Sequence, residues 1–337
     1  MSAPGQASRV LVVLMGSIGD VVRGLGVARP LRRAMPAGHL AWLVEPLCEP
    51  LVRLVPEIDS VIVFDRPRGV RAVAELRRAL RHVKPDITLD LQRHLKSGLF
   101  ARLSGAPRRI GFHRTNAKEG NWLFQTETIP RADDTLAKLD HYGLFLEQLG
   151  CPGGIDPTPL DRVVAAPPLD RPYVAVVLGS SWVSKDWLPA GYQGLLDLIV
   201  RRGRHGVVLL GDARRRALGD ELVAAFGGEP VVNLAGKTTL PEVAAIMRGA
   251  RAGVGPDSGP GHIAAAVGTR YVGIFGPTSP TRTAPRGSEL LAVSAPVGCS
   301  PCYRRRCPGL DTVCLRLVSP TAVWERLAPL LGGNYST

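Results

Sequence analysis

A glycine-rich turn at residues 255–262 has the residue types and spacing to bind a phosphate-containing ligand. Its sequence, Gly-Pro-Asp-Ser-Gly-Pro-Gly-His, follows an apolar run and leads into a helix of small residues. Glycines let the backbone approach a ligand closely, and a helix N-terminus offers unpaired N–H groups and partial positive charge. The alternative is an ordinary strand-to-helix turn with a capping side chain. Three glycines with Asp, Ser and His exceed what a cap requires, so a diphosphate site is favoured. Its candidate residues are Asp257, Ser258, Gly259 and His262.

A second polar segment, residues 178–187, carries two adjacent hydroxyls and a lysine. Ser180 and Ser181 follow an apolar run, and Lys185 comes shortly after them. Hydroxyls and a lysine ammonium suit phosphate oxygens, with the lysine acting as a mobile point charge. The alternative is a solvated polar loop. Because the chain is dominated by arginine and has few lysines, Lys185 is predicted to have a specific role.

A third segment, residues 16–20, reads Gly-Ser-Ile-Gly-Asp and follows the apolar run at residues 10–14. It is not a dinucleotide-binding fingerprint, because its spacing is Gly-x-x-Gly. Asp20 would lie at the carboxyl end of the first strand, where a carboxylate could deprotonate a hydroxyl nucleophile as general base. The alternative, an N-terminal helix aspartate stabilised by the helix dipole, fits these residues equally well.

Basic residues crowd the segment after the fourth predicted strand. A pocket for an anionic acceptor and a solvated arginine-rich face are both compatible with them. They are Arg93, His94, Lys96, Arg102, Arg108, Arg109, Arg114 and Lys118.

Four cysteines near the C-terminus lie within a short segment. A bound structural zinc ion, a disulfide pair and free thiols are the alternatives, since the spacing is not that of a standard paired zinc knuckle. The four are Cys299, Cys302, Cys307 and Cys314.

These segments are positioned by strands that alternate with helices, which predicts parallel sheets. Strands are predicted at residues 10–14, 40–44, 60–64, 86–91, 173–178, 206–210, 252–255 and 271–275. Helices are predicted at residues 21–34, 46–55, 73–82, 190–202, 214–225, 240–248, 261–266 and 320–331. The helix at 73–82 is amphipathic and rich in arginine.

A stretch rich in proline and glycine, residues 150–172, predicts a domain boundary. The strand–helix alternation restarts after it, so we expect an α/β protein with two Rossmann-like domains facing across a cleft. The predicted domains are residues 1–165 and 166–318. The C-terminal helix, residues 319–337, is expected to return and pack on the first domain.

The amino-acid composition and the net charge exclude some classes of function. The 45% hydrophobic and 21% charged fractions of the 337 residues argue against wholesale disorder. No apolar run approaches the roughly 18–20 residues of a membrane helix, and no secretory signal is evident, so the cytoplasm is predicted. The net charge of +13 comes mainly from arginine, with 5% aromatic residues and no arginine–aromatic interleaving. An anionic membrane surface or an acidic acceptor fits this charge, and nucleic acid is not expected.

In this order, the motifs resemble glycosyltransferase family 9, the ADP-heptose:lipopolysaccharide heptosyltransferases. The resemblance covers nearly the whole chain. It rests on residues 10–20, Asp90-Leu91-Gln92 with Lys96-Ser97, residues 180–187, residues 233–238, the Asp-Ser-Gly-x-x-His turn at 257–262, Gly-Pro-Thr at 276–278, and the Cys-Pro-rich tail at 299–308.

The resemblance implies a GT-B fold, an inverting mechanism and no required cofactor. It implies that Asp20 is the general base and that Ser180, Ser181 and Lys185 contact the donor phosphates. Residues 257–259 would hold the diphosphate and the sugar. The domain of residues 1–165 would bind the acceptor, and the domain of residues 166–318 would bind the nucleotide sugar. The Cys-rich tail resembles the heptosyltransferase II type most.

The implied reaction moves heptose from ADP-heptose to the lipopolysaccharide inner core at the inner face of the inner membrane, with the enzyme peripheral to that membrane. Its acceptor-binding candidates are Gly19, Arg93, Lys96 and Arg114. Three alternatives stay open. The first is another nucleotide sugar and another surface polysaccharide. The second is a nicotinamide-dependent oxidoreductase, which predicts a glycine fingerprint and an acidic residue at the end of the second strand. Glu45 is near that place, but the fingerprint is missing. The third is a basic membrane-binding or nucleic-acid-binding protein.

Overall fold

A computed structural model describes residues 5–133, 135–151, 153–309 and 311–332. The chain divides into two compact units, Met1–Pro159 and Leu160–Thr337. The division falls a few residues before the predicted boundary after residue 165. Of the predicted first and last segments, residues 1–4 and 333–337 lie outside the described residues.

The first unit is built on a six-stranded sheet with the order β3-β2-β1-β4-β5-β6, in which every pairing is parallel. Residues 10–13 of the first strand are fully buried, as expected for a strand covered on both faces. The strands are β1 Arg9–Val13, β2 His39–Val44, β3 Ser60–Val63, β4 Ile87–Asp90, β5 Arg108–Gly111 and β6 Glu127–Thr128.

The helices of the first unit connect these parallel strands. The predicted helix at 21–34 forms as two α-helices joined by the 3₁₀ turn Leu25–Val27, and the one at 46–55 is reduced to four residues. Further 3₁₀ turns span Arg66–Arg68 and Asn121–Phe124. The α-helices are α1 Ile18–Gly24, α2 Ala28–Ala34, α3 Glu49–Val52, α4 Val70–Val83, α5 Leu95–Leu103 and α6 Lys138–Gln148.

The second unit repeats this architecture with a parallel sheet of order β12-β11-β10-β7-β8-β9. Its strands are β7 Tyr173–Val177, β8 Gly206–Leu210, β9 Val231–Asn233, β10 Ala252–Pro256, β11 Tyr271–Phe275 and β12 Val293–Ser294. Its α-helices are α7 Pro189–Asp197, α8 Arg216–Ala225, α9 Leu240–Gly249, α10 Gly259–Ala266, α11 Pro280–Thr283, α12 Val313–Arg316 and α13 Pro320–Leu327. The shorter pieces are the π-helix Leu198–Arg202 and 3₁₀ turns at Val183–Lys185, Ala213–Arg215, Glu289–Leu291 and Ala328–Leu331.

The C-terminal helix corrects a prediction. We expected it to pack on the first domain, but the chain from Leu160 onward forms the second unit. The buried side chains of α13, Val323, Trp324 and Leu327, belong to the hydrophobic core of the second unit. An amphipathic helix buries its apolar face against the nearest matching surface, which here includes α7.

Among the described residues, no helix combines the length and the apolar character needed to cross a bilayer.

The packing of α13 predicts the effect of truncating one of its core side chains. Leu327→Ala should lower the free energy of unfolding of the second unit by about 2–5 kcal/mol, because Leu327 is fully buried. Leu317→Ala is the control, since that side chain is 60% exposed, and it should cost less than about 0.5 kcal/mol. Calorimetry measures both. Equal stability of the two variants would contradict the described packing of α13.

Candidate functional site

The glycine-rich turn of the second unit lies between β10 and α10, as predicted. Gly255 has φ of +154°, and a Cβ atom there would lie 2.6 Å from the carbonyl oxygen of Val177. Only glycine fits this backbone. Ser258 is the N-cap residue of α10, and its side chain makes no capping hydrogen bond. The Ser258 side chain therefore leaves the start of α10 uncapped. An anionic ligand would meet the Gly259 N–H there, since the next residue is a proline and the Gly261 N–H donates to the Ser258 carbonyl oxygen at 3.2 Å.

Asp257, in this turn, is the centre of a buried polar cluster. Its Oδ2 accepts hydrogen bonds from Lys185 Nζ at 2.7 Å, Thr278 Oγ1 at 2.7 Å and Thr283 Oγ1 at 3.2 Å. His262 Nε2 lies 4.0 Å from Oδ1. Burial raises the pKa of Asp257, but the charge and hydrogen bond of Lys185 outweigh it and hold the pKa below its ordinary value. The carboxylate is thus ionised at neutral pH.

Lys185 connects the two predicted phosphate segments. Its side chain is 14% exposed, and Nζ also donates to the backbone oxygen of Asp257 at 3.3 Å. The ammonium lies 4.6 Å from the ring centre of Trp182, a cation–π contact. A fixed ammonium next to the N-terminus of α10 combines two sources of positive potential, which suits a diphosphate.

The two serines before Lys185 have different environments. The Ser180 hydroxyl donates to the backbone oxygen of Trp182 at 3.0 Å, so it closes its own turn. The Ser180 N–H donates to Asp186 Oδ1 at 2.9 Å, and Asp186 pairs with Arg215 at 2.5 Å. Ser181 is exposed. Asp186 orders this segment, a role that the sequence pattern did not predict.

The first unit places Asp20 in α1, at the carboxyl edge of its sheet. The carboxylate pairs with Arg23 Nη2 at 2.6 Å and Lys138 Nζ at 3.1 Å, and its side chain is 25% exposed. Burial raises the pKa of Asp20, but the charges and hydrogen bonds of Arg23 and Lys138 outweigh it and hold the pKa well below its ordinary value. Arg23 and Lys138 were not predicted as site residues.

Gln92 holds the loop that leads to Asp20. Its Oε1 accepts from the Met15 N–H at 2.6 Å, and its Nε2 donates to the Gly16 carbonyl oxygen at 3.0 Å. Both partners are backbone groups, so this one side chain fixes the exit of β1. A buried backbone group without a hydrogen-bond partner destabilises the fold, so these two bonds hold the loop in one conformation. Gln92 is therefore a residue that positions the loop before Asp20.

Asp90, at the end of β4, is fully buried and anchors the segment that carries Gln92. Its Oδ2 accepts from Asn121 Nδ2 at 2.6 Å, Ser97 Oγ at 3.0 Å and Gln125 Nε2 at 3.0 Å. Its Oδ1 accepts from the Gln92 N–H at 3.0 Å. Burial raises the pKa of Asp90, and these hydrogen bonds only partly offset it. The network makes the β4 exit rigid.

The predicted acceptor residues are dispersed among different environments. Gly19 is buried in α1, and Arg114 is exposed. Lys96 Nζ pairs with Glu45 Oε1 at 2.6 Å. Arg93 Cζ lies 5.9 Å from the ring centre of Phe112. Since Lys96 follows β4 and Glu45 follows β2, both lie at the carboxyl edge that carries Asp20, where open parallel sheets bind ligands.

The four C-terminal cysteines are free thiols that line one pocket together with Ser184 and Pro277. Burial raises the pKa of the Cys314 thiol, and the neighbouring Cys299, Cys302 and Cys307 add to this. Within the described residues, however, no three His, Cys, Asp or Glu side chains are grouped closely enough to hold a metal ion. The four thiols thus line one pocket without forming such a group, and a bound zinc ion stays a prediction.

Known proteins are similar in sequence to most of this chain. A family model described as glycosyltransferase family 9 (heptosyltransferase) matches residues 73–311, more than two thirds of the chain. The lipopolysaccharide core heptosyltransferase OpsX of Haemophilus influenzae is 28% identical over 83% of this chain and 82% of its own length. The lipopolysaccharide heptosyltransferase 1 of Pseudomonas aeruginosa is 29% identical, with 89% and 87% covered.

A solved structure has the same fold. The structure of E. coli heptosyltransferase WaaC with ADP superposes with a TM-score of 0.78 at 23% identity, covering 96% of this chain and 99% of that one. Two Rossmann-like units with six parallel strands each are those of the GT-B fold, which confirms the predicted fold class. The match of the family model over most of the chain shows that this protein is a glycosyltransferase and belongs to glycosyltransferase family 9.

Proposed function

We propose that the protein transfers heptose from ADP-heptose to a sugar hydroxyl of the lipopolysaccharide inner core. The observation that carries this proposal is the buried Lys185–Asp257 pair beside the N-terminus of α10. Relatives support the choice of donor. The E. coli enzyme that shares the fold has been solved with ADP and with ADP-2-deoxy-2-fluoro heptose. Relatives named lipopolysaccharide heptosyltransferases support the choice of acceptor.

The second unit would bind the leaving group. Lys185 and the positive N-terminal end of α10, with the Gly259 N–H, would stabilise the negative charge that gathers on ADP as the glycosidic bond breaks. Ser181 and Ser258 would offer hydroxyls to the phosphate oxygens, and Asp257 would hold the Lys185 ammonium in place. Ser180, Gly259 and His262 complete the proposed donor site.

The first unit would supply the base. Asp20 accepts the proton of the acceptor hydroxyl as that oxygen attacks the anomeric carbon from the face opposite ADP, which inverts the configuration there. Asp20 is ionised at neutral pH, so it is able to accept a proton. Arg23 and Lys138 orient the carboxylate of Asp20. Both also lower its basicity, so the rate of proton transfer to Asp20 depends on them.

No metal ion takes part in this proposal, because Lys185 and the α10 N-terminus meet the charge of the diphosphate. A zinc ion at the four cysteines would be structural.

The acceptor would be anionic, and basic side chains of the first unit would receive it. Arg93, Lys96 and Arg114 are the candidates, with Gly19 beside Asp20. We place the protein at the cytoplasmic face of the inner membrane, peripheral to the bilayer. Another nucleotide sugar and another surface polysaccharide are the second possibility within the same family.

Two functions outside the glycosyltransferases, an oxidoreductase and a binding protein without catalysis, lose their support. An oxidoreductase that binds a nicotinamide dinucleotide needs a G-x-G-x-x-G turn after its first strand, but residues 16–20 have the spacing Gly-x-x-Gly. Binding to a membrane or to nucleic acid without catalysis does not account for the membership of this chain in a transferase family.

Calorimetry with ADP-, UDP- and GDP-sugars tests the donor. We expect ADP-heptose to bind most tightly and Lys185→Gln to weaken it about 10- to 100-fold, because a hydrogen bond to a charged group is lost. Arg201→Gln, which removes an exposed charge of the same unit, should bind like the wild type. Tighter binding of a UDP- or GDP-sugar would contradict the donor assignment.

Asp20→Asn tests the base. We expect the transfer rate constant to fall by about 10²–10⁴-fold, while ADP-heptose binds with unchanged affinity. The control is Glu49→Gln, which removes a carboxylate paired with Arg53 on the same unit and should keep full activity. Transfer is followed by mass spectrometry of the acceptor. Wild-type rates in Asp20→Asn would remove Asp20 as the base.

Lys138→Met tests how the partners of Asp20 set its pKa. Losing one cation should raise the pKa of Asp20, because the charge and hydrogen bond of Lys138 favour the ionised carboxylate. A base works only when it is deprotonated, so the acid limb of the kcat/KM profile should move to higher pH in the variant. Lys84→Met is the control for loss of an exposed lysine. An unmoved acid limb would show that Lys138 does not act on the titrating group.

A further inference from the structure

The outer face of α4 is an arginine cluster that the proposed chemistry does not use. Leu76 and Leu80, on the inner face, are buried in the core of the first unit against side chains of its sheet. The outer face carries four exposed arginines, which we call the α4 arginine face. They are Arg71, Arg77, Arg78 and Arg81.

The α4 arginine face is not neutralised by the protein. Within the described residues, none of its four side chains forms an ion pair or a side-chain hydrogen bond. The one acidic residue of α4, Glu75, pairs with Arg68 at 2.7 Å outside the face. Other arginines of the same unit are paired, including Arg23 and Arg53. Unpaired arginines on one helix face create a local positive potential, which attracts an anionic partner.

The N-terminus of α4 lies at the same edge of the sheet as Asp20. The helix connects β3 to the parallel strand β4, so its N-terminus lies at the carboxyl edge of the sheet, the edge that carries Asp20. Val70, the first residue of α4, is 86% exposed at this end. A surface bound along α4 would therefore run toward the edge where the acceptor hydroxyl is deprotonated. This step rests on the proposed function, in which the acceptor is carried by a membrane.

We propose that the α4 arginine face binds the anionic phospholipid headgroups of a bilayer. The face is arginine-rich and has almost no exposed large apolar side chain apart from Val70 and Val73, so it lies on the headgroups without deep insertion. Each basic residue near an anionic surface strengthens binding by about fivefold, and salt screens the attraction. Arginine also pairs with phosphate through two parallel N–H groups, which favours phospholipid phosphates.

Co-sedimentation of the full chain with vesicles tests the proposal. The wild type should bind vesicles of phosphatidylcholine mixed with phosphatidylglycerol at low ionic strength, release at high ionic strength, and not bind pure phosphatidylcholine. The double variant R78Q/R81Q should bind at least about tenfold more weakly. The matched control R201Q/R202Q removes two exposed arginines of the second unit and should bind like the wild type. Circular dichroism checks that each variant is folded.

Three results would overturn the proposal. The first is equal vesicle binding by R78Q/R81Q and the wild type. The second is equal binding to neutral and anionic vesicles. The third is tighter binding to a random DNA duplex than to anionic vesicles, lost in the same variant, which would assign the face to nucleic acid.

Failure of this proposal and failure of the proposed function give different results. R78Q/R81Q should keep wild-type affinity for ADP-heptose and a wild-type transfer rate to an acceptor oligosaccharide freed of its lipid. If the wild type binds anionic vesicles but no nucleotide sugar, the transferase proposal fails and the lipid-binding face stands. If transfer occurs without vesicle binding, only the lipid-binding face fails.

Discussion

The Asp257 carboxylate is buried, and a buried charge is stable only when it is paired and hydrogen-bonded. Its partners come from two other segments of the second unit. Lys185 follows β7, whereas Thr278 and Thr283 both lie in the segment after β11. Asp257 therefore ties together the carboxyl ends of the strands from which the anion site is built. Removing the carboxylate would leave Lys185 without its anchor, and removing Lys185 would leave a buried charge unpaired.

The first unit also contains a buried carboxylate, Asp90, but the groups that donate hydrogen bonds to it are uncharged. They are neutral amides, a hydroxyl and backbone N–H groups. Neutral donors fix geometry without cancelling charge, and so the pKa of Asp90 rises while that of Asp257 falls. Through Gln92 this rigid network also fixes the backbone before Asp20. Asp90 thus organises the loop after β4, and Asp257 holds the Lys185 ammonium in position for a ligand.

Much of this arrangement follows from local sequence. Long branched runs such as residues 10–14 predicted the central strands, and the turn at 255–262 predicted the α10 site. The partners of Asp20 could not be predicted, because Lys138 is 118 residues away and lies on α6, whose mixed periodicity gave no helix signal. Short strands such as β6 and β12, two residues each, were missed for the same lack of pattern. The C-terminal helix was assigned to the first domain because its apolar face does not reveal which surface it covers.

The segment around the cysteines is attached to the turn that carries Lys185. Ser184 donates its hydroxyl to the Arg304 carbonyl oxygen at 2.6 Å and its N–H to that of Arg305 at 3.3 Å. The Tyr303 N–H donates to the Pro277 carbonyl oxygen at 2.7 Å, next to Thr278. Contacts this far apart in sequence form only after the intervening chain exists. On the ribosome, β7 to β11 are synthesised before residues 303–305, so the Lys185 turn acquires these partners after its own strands exist. The anion site is therefore completed only after residues 303–305 have been synthesised, and a nascent chain that stops before residue 304 lacks these partners of the Lys185 turn.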